Sequence, residues 1–492
     1  MTETAKKKRG MPSSFTILLA LLAIVAVITV IVSGTSGGAV TAARLSDFCT
    51  APILGFADAL PVCLFVMILG GFLGMMTETG ALDNGIAVLV QKLKGNEIML
   101  IPVLMLIFSL GGTTYGMCEE TVPFYALLAA TMMAAGFDPM VGAATVLLGA
   151  GCGCLGSTVN PFAVGAAVDA LTGVDIAVNQ SIIIGLGAVL WIVTTAMSIF
   201  FVMSYAKKVK ADKGSTILSM QELKDAEEAH GKAASEVHKE VKLTGRQKGV
   251  LIAFAFTFVV MIVGFIPLAD LNEGVANFFD AGAVYDADGN AVVQGWSALI
   301  TGLPIGQWYF DEASTWFFLM AILIGIIGGL SEKQIVNTFI TGAADMMSVV
   351  LVIALARGIS VLMANTGLDV YVLDAAANAL AGLSGVIFAP MSFLVYFGLS
   401  FLIPSTSGMA TVSMPIMGPL AVKLGFSPEV MVMIFSAAIG VVNLFTPTSG
   451  AIMGGLALAK IEWTTWLKFA LKLIVALSVV CAIILTVACV LL

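Results

Sequence analysis

Charge is what this chain has least of. Lysine, arginine, aspartate and glutamate make up 11% of its 492 residues, against 59% hydrophobic. A water-facing surface needs roughly 25–35% charged positions, so a soluble globular protein is excluded. With a mean hydropathy of +1.04, the class that remains is an all-α polytopic membrane protein. Histidine is scarcer still. The two present, His230 and His238, both fall in a charged loop, and no apolar segment carries one. That disfavours haem ligation and intramembrane metalloprotease chemistry, whose zinc ligands include histidine. The seven cysteines (Cys49, Cys63, Cys118, Cys152, Cys154, Cys481 and Cys489) show no zinc spacing. Cys152 and Cys154 are too close for a CxxC pair, so packing is the role they fit. No nucleophile–base set stands out, which argues against a membrane enzyme. No cofactor is expected beyond coupling to Na⁺ or H⁺.

What is abundant is apolar length. Ser14–Ser33, Leu60–Thr77, Ile182–Tyr205, Val250–Leu268, Thr315–Leu330, Met346–Met363 and Leu467–Leu492 reach or approach the roughly 17–25 residues that cross a bilayer core. The first is longer than the roughly 7–15 residues of a signal-peptide core, so it reads as a retained span. Basic residues set the direction. Lys6, Lys7, Lys8 and Arg9 place the N-terminus in the cytoplasm. The lysine-rich loop 205–248 also lies inside; its interspersed acids argue against a nucleic-acid surface. Between Lys248 and Lys333 there is no lysine or arginine. That stretch holds Asp270, Glu273, Asp280, Asp286, Asp288, Asp311 and Glu312, which suits the outer face. Within it, Asp288-Gly289-Asn290 between Val284-Tyr285 and Val292-Val293 predicts a β-hairpin. An amphipathic stretch, Leu82–Leu93, is expected inside. Alternating crossings leave the C-terminus outside.

The chain also says one odd thing twice. Thr113-Thr114-Tyr115-Gly116-Met117 is echoed by Ser405-Thr406-Ser407-Gly408-Met409, 292 residues later, and each copy meets a proline six positions on, Pro123 and Pro415. Each then reaches Gly-Phe-x-Pro, at Gly136–Pro139 and Gly425–Pro428. Each next meets a second polar break, Gly156–Pro161 and Phe445–Gly450. Upstream, Glu78-Thr79-Gly80 is matched by Asn365-Thr366-Gly367. The arms Ile98–Leu110 and Val122–Ala135 read as a re-entrant hairpin with a polar tip at Gly111–Glu120, and a second hairpin has its tip at Pro404–Ala410. Irregular backbone at membrane depth survives only where protein or water buries it. The span at 250–268 is unpaired in the repeat, so the second half enters the membrane upside down. Inverted repeats with broken helices point to a binding site near the midplane.

The chemistry follows from the breaks. A helix end frees backbone N–H and C=O groups, each costing several kcal/mol if left unpaired in hydrocarbon. Ser157, Thr158, Asn160, Asn443, Thr446, Thr448 and Ser449 are suited to satisfy them. Thr113, Thr114, Ser405, Thr406 and Ser407 do the same at the tips. Half-helix N-termini after Asn160 and Ser449 attract carboxylates. Freed oxygens at Gly112, Ser157, Asn160, Ser405 and Thr446 are candidate Na⁺ ligands. The alternative is a simple kink padded by hydroxyls, which fits one break far better than four interruptions in register. Glu119 and Glu120 follow the first tip, where the second repeat has Thr411 and Val412. A carboxylate at membrane depth is a functional candidate by default; it can bind a cation, carry a proton or pair with arginine, or else face cytoplasmic water. Arg357 lies mid-span and has two readings, an ion pair with Glu119 or Glu120, or a substrate carboxylate. Asp169, Asp369 and Asp374 flank spans. Gly70 and Gly74 allow close helix approach.

The segments Gly111–Glu120, Gly156–Phe162, Ala356–Ile359 and Pro404–Gly408 resemble the YfcC-like branch of the C4-dicarboxylate anaerobic carrier family, within the ion transporter superfamily. The resemblance spans nearly the whole chain, least in 205–248 and the acidic insert. It implies a bacterial inner-membrane secondary transporter, a homodimer whose mobile transport domain moves against a scaffold as an elevator. The scaffold would comprise 1–80 and 314–366. The transport domain would comprise 97–175 and 385–460, with a span at 180–204, the loop 205–248, the extra span 249–269, the outer loop 270–313 and a last span at 466–492. YfcC-like members are often assigned to basic amino acids, including arginine–ornithine exchange. The tips here lack the asparagine of the superfamily's carboxylate signatures. The expected cargo is therefore an amino acid, basic in character, with Glu119 or Glu120 holding its cationic group. The alternative is a Na⁺- or H⁺-coupled C4-dicarboxylate carrier with Arg357 as counter-ion. A channel is the third class.

Overall fold

The computed structural model describes residues 14–81, 84–85, 88, 96–236, 242–266, 268–271, 273–286, 291–403 and 405–492. The basic N-terminus, most of Leu82–Leu93, His238, the turn Asp288–Asn290 and Pro404 lie outside them. Among the described residues, eight helices are long and apolar enough to cross a membrane.

The chain opens with α1 (Ser14–Ser33), α2 (Leu45–Asp58) and α3 (Leu60–Glu78). The first hairpin is α4 (Leu100–Tyr115) and α5 (Val122–Ala134). Then α6 (Pro139–Leu155) stops at Gly156, and a π-turn (Pro161–Gly165) resumes into α7 (Ala166–Thr172). α8 (Gln180–Ala211) leads to the polar α9 (Met220–Glu236), and α10 (Gly245–Phe265) is the unpaired span. Two short helices, α11 (Leu268–Leu271) and α12 (Glu273–Phe279), precede the antiparallel strands β1 (Val284–Tyr285) and β2 (Ala291–Val293), the hairpin expected from sequence. The second half runs α13 (Phe310–Gly328), α14 (Glu332–Asp345), α15 (Met347–Thr366) and α16 (Leu368–Leu380). Its hairpin is α17 (Gly385–Leu402) and α18 (Thr406–Lys423). Its broken helix is α19 (Pro428–Val442) and α20 (Gly450–Leu458), and α21 (Trp463–Leu491) closes the chain.

These elements form for recognisable reasons. On α21, Leu471, Val475, Val479, Ile483 and Val487 are exposed at every fourth position, while Leu473, Leu477, Cys481 and Leu485 are buried. An apolar exposed stripe at helical period suits a surface turned away from the protein core and toward the membrane. α10 starts with a capping box: Thr244 Oγ1 accepts from Gln247 N at 3.2 Å, and Gln247 Oε1 accepts from Thr244 N at 3.1 Å.

The packing is reciprocal between halves. α2 lies on α15 while α14 lies on α3; α1 meets α15 while α13 meets α3; α5 touches α20 while α18 touches α7. Helices α2 and α14 are each 14 residues long. Small residues allow these crossings. A Cβ on Gly55 would sit 2.3 Å from Gly358 N, and one on Gly342 would sit 2.4 Å from Gly70 O. Gly70 and Gly74 thus mark a close approach, as their spacing suggested.

Three boundaries differ from the sequence reading. The first hairpin arm reaches Tyr115, so Glu97–Tyr115 is long enough to cross, and the bend shrinks to Gly116–Cys118. The Gly-Gly-Thr-Thr run stays helical because it packs closely on Ala150, Gly153 and Cys154 of α6, and Thr114 Oγ1 donates back to Leu110 O at 2.7 Å. Helices α2 and α14 were not expected, being shorter than a span. The loop after α8 contains α9, a helix with Leu223, Ala226 and His230 on one face.

That helix is tied down. Asp138 caps α6 by accepting from Val141 N at 3.1 Å, and accepts from Tyr205 Oη at 2.6 Å and Thr216 Oγ1 at 2.7 Å. Glu222 accepts from Glu462 N at 2.9 Å, and His230 Nε2 lies 3.1 Å from Leu458 O. Burial pushes the His230 ring below the usual histidine range; the Leu458 carbonyl opposes this and Lys460 adds to it. A folded pKa below the unfolded one makes docking fully effective above about pH 6.5, with the contribution lost as pH falls through the folded value. Hydrogen exchange across Met220–Glu236, corrected for intrinsic rates, should therefore speed up between pH 7.5 and pH 5.5. His230→Gln should flatten that dependence; equal pH dependence in the variant would rule out the histidine as its source.

Candidate substrate-binding site

The first break is built around Thr113. Its Oγ1 donates to Gly156 O at 2.6 Å, and its own carbonyl accepts from Thr158 N at 2.9 Å and Thr158 Oγ1 at 3.0 Å. The hairpin end is thereby bonded to the end of α6. Asn160 restarts the helix: Oδ1 accepts from Phe162 N at 2.9 Å and Ala163 N at 3.3 Å, and Nδ2 donates to Ser157 Oγ at 2.9 Å. Ser157 Oγ in turn donates to Cys154 O at 2.6 Å. Gly116 packs on this asparagine with φ +80°, and a Cβ there would meet Asn160 Oδ1 at 2.6 Å, so only glycine fits.

The second break uses different partners. Thr446 and Thr448 hydroxyls bond each other at 2.7 Å, and Ser449 Oγ accepts from Ile452 N at 3.5 Å to start α20. The carbonyls freed by the break go to indoles of α21. Trp466 Nε1 donates to Leu444 O at 2.8 Å and Trp463 Nε1 to Phe445 O at 2.7 Å. At the second tip, Ser405 Oγ caps α18 by accepting from Gly408 N at 3.1 Å.

Both tips and both breaks reach one cavity of about 320 Å³, at the lower end of small-molecule sites, roughly 300–1,000 Å³. From the first half, Gly116–Thr121 and Asn160 line it. From the second, Ser405, Thr406, Ser407, Asn443, Thr448 and Ser449 do. Glu119 and Glu120 both face it; Glu120 is buried and its Oε2 accepts from Cys118 N at 3.0 Å, while Glu119 is half-buried. Thr113, Ser157, Thr158 and Thr446 sit behind the wall and hold the breaks. Thr114 back-bonds to its own helix, away from the cavity. The candidate Na⁺ ligands already have protein partners: Gly112 O, for example, accepts from Gly116 N at 3.1 Å.

Arg357 lines the same cavity, and its ion pair is with Asp58, Nε to Oδ2 at 3.0 Å. The partner expected from sequence, Glu119 or Glu120, is not within ion-pair distance. Asp58 was missed, although a lone acid just before the apolar run Leu60–Thr77 was a visible signal. Ser436 was missed too. It is buried on α19, lines the cavity, and its hydroxyl has no hydrogen-bond partner among the described residues. Cys118 and Cys154 also line the cavity, whereas Cys63, Cys152, Cys481 and Cys489 are buried in packing.

A family model described as C4-dicarboxylate anaerobic carrier matches residues 39–490. The chain belongs to that family. Members of the C4-dicarboxylate anaerobic carrier family are membrane transporters, so this chain is a multi-pass membrane transporter and not an enzyme. A Haemophilus influenzae protein of uncharacterised function is 29% identical over 445 residues, covering 90% of this carrier and 78% of the relative. The Escherichia coli "putative basic amino acid antiporter YfcC" is 27% identical over 440 residues, covering 87% and 77%. The solved Alcanivorax borkumensis YdaH transporter is similar at 15% identity, covering 96% of this carrier and 97% of that chain, with a TM-score of 0.47.

Proposed function

We propose that this carrier exchanges amino acids with a cationic side chain across a bacterial inner membrane. The charge of the cavity carries the reading. Asp58, Glu119 and Glu120 face it with Arg357 as the one cation among its described lining residues. A dianion would meet three carboxylates, whereas a ligand with one carboxylate and two cationic groups is complementary. The name of the Escherichia coli relative agrees. The α20 N-terminus at Ser449 adds partial positive charge beside Arg357 for the carboxylate end.

The transport cycle we propose is alternating access by an elevator. Reciprocal packing of the two halves, with the odd span α10 between them, supports inverted repeats. On this reading 97–175 and 385–460 move as one body against 1–80 and 314–366. The N-terminus is cytoplasmic, the C-terminus is outside, and two copies pair in the membrane. In proteoliposomes loaded with L-ornithine, uptake of labelled L-arginine should clearly exceed uptake into empty vesicles. Equal uptake into both would end the exchange reading.

The family description and the cavity-facing Arg357 favour a second reading, a C4-dicarboxylate carrier coupled to Na⁺ or H⁺. Inhibition by succinate without inhibition by L-arginine would select it.

A further inference from the structure

We infer that Asp58 is a resident substitute for the cargo's carboxylate, occupying Arg357 until cargo displaces it and so setting the carrier's affinity for carboxylate-bearing ligands. This rests on the reading above that the cargo carries a carboxylate.

Three observations lead here. First, the two residues meet across a long-range crossing. Asp58 ends α2, Arg357 lies mid-α15, and the helices touch where Gly55 and Gly358 remove their side chains. That crossing holds the pair at the cavity wall. Second, the contact uses only part of the guanidinium. Asp58 Oδ2 approaches Nε, and the terminal nitrogens have no hydrogen bond among the described residues. A guanidinium presents five donors in a planar fork that matches a carboxylate bidentately. The edge left open is the one a cargo carboxylate needs. Third, the pair is open to the cavity. Side-chain exposure is 26% for Arg357 and 51% for Asp58. Ion pairs this exposed contribute little, so a carboxylate with better geometry can replace Asp58 at small cost. A buried pair would resist exchange, because breaking it strands a charge. Here the released aspartate returns to the open cavity.

The arrangement also explains why an arginine persists on this span with only one edge of its fork engaged. A bare guanidinium facing Glu119 would be drawn to it and would close off the acid that a cationic group requires. Asp58 keeps the cation on its own wall. Asp58 is thus a positioning residue that also competes with the ligand.

The test uses the purified full chain with L-arginine and agmatine, which is arginine without its carboxylate. Binding of each is measured by calorimetry for wild type, Asp58→Asn, Arg357→Gln and Arg357→Lys. Asp58→Asn should raise the preference for L-arginine over agmatine by roughly three-fold, the worth of an exposed ion pair. Arg357→Gln should lower that preference by roughly ten-fold or more. Arg357→Lys, which keeps the charge and loses the fork, should fall between. A purely structural pair would weaken both ligands together and leave their ratio alone. An unchanged ratio in Asp58→Asn, with wild-type arginine binding intact, overturns this assignment and spares the basic amino acid. Failure to bind arginine, with succinate bound and tightened by Asp58→Asn, keeps the assignment and removes the amino acid. No binding of either ligand class by wild type overturns both.

Discussion

Replacing Glu119 by glutamine should reduce arginine–ornithine exchange in proteoliposomes by roughly ten- to hundred-fold, since a charge-assisted hydrogen bond contributes about 1.5–3 kcal/mol. The argument is positional. Of the two glutamates behind the first tip, Glu120 is committed to the chain: it is 2% exposed and accepts from Cys118 N. Glu119 is half-buried, faces the cavity and forms no ion pair among the described residues. It is the acid free to take a cation. Glutamine keeps the shape and removes the charge, so the loss should show mainly in KM for arginine, with protein yield and melting temperature near wild type. Glu120→Gln should also impair exchange. Its carboxylate oxygen closes the hairpin turn by accepting from Cys118 N, a bond that glutamine keeps and alanine removes, so Glu120→Ala should lose thermal stability as well. Wild-type exchange in both glutamine variants would remove the acids from the mechanism and, with them, the case for a basic cargo.

Gly112→Ala should cost much of the fold's stability. A Cβ there would lie 2.2 Å from Ala150 O, 2.8 Å from Cys154 N and 2.9 Å from Gly153 Cα. All three are backbone atoms of α6, so no rotamer change relieves the clash. The crossing of α4 on α6 must open instead. Overpacking of this kind costs about 1–3 kcal/mol, more where backbone must move. The displacement would pass directly to Thr113, the next residue, whose two-way bonding joins the hairpin to the first break. A drop of several degrees in melting temperature in detergent, with exchange lost, is the expected result. Gly185 provides the control, since a Cβ there meets nothing within 4 Å. Gly185→Ala should be neutral or slightly stabilising, because alanine is the better helix former. Equal melting of the two variants would show that the α4–α6 contact is looser than described.

Much of this was legible in the sequence because hydrocarbon makes polar residues conspicuous. Glycines, prolines and hydroxyls inside apolar runs each mark a place where the backbone needs another partner. That is why the breaks at Gly156–Pro161 and Phe445–Gly450 stand out in the amino-acid sequence. Tip lengths were less legible. Gly111–Tyr115 has the composition of a turn, yet burial and close packing against α6 keep it helical. Composition cannot weigh those terms. Pairing across the fold left no local trace at all. Arg357 could be recognised as needing a partner, but only the crossing of α2 on α15 selects Asp58. Likewise Ser157 and Thr446 looked like ligands and sit instead one layer back, where they support the residues that do face the cavity.

The two indoles on the second break have a practical consequence. Trp463 and Trp466 are hydrogen-bonded to carbonyls that a change in the Phe445–Gly450 segment would release. The chain contains six tryptophans in all, few enough for each to be assigned by single replacement with phenylalanine. Fluorescence from this pair should then report on the unwound segment itself, without a label and independently of any flux measurement.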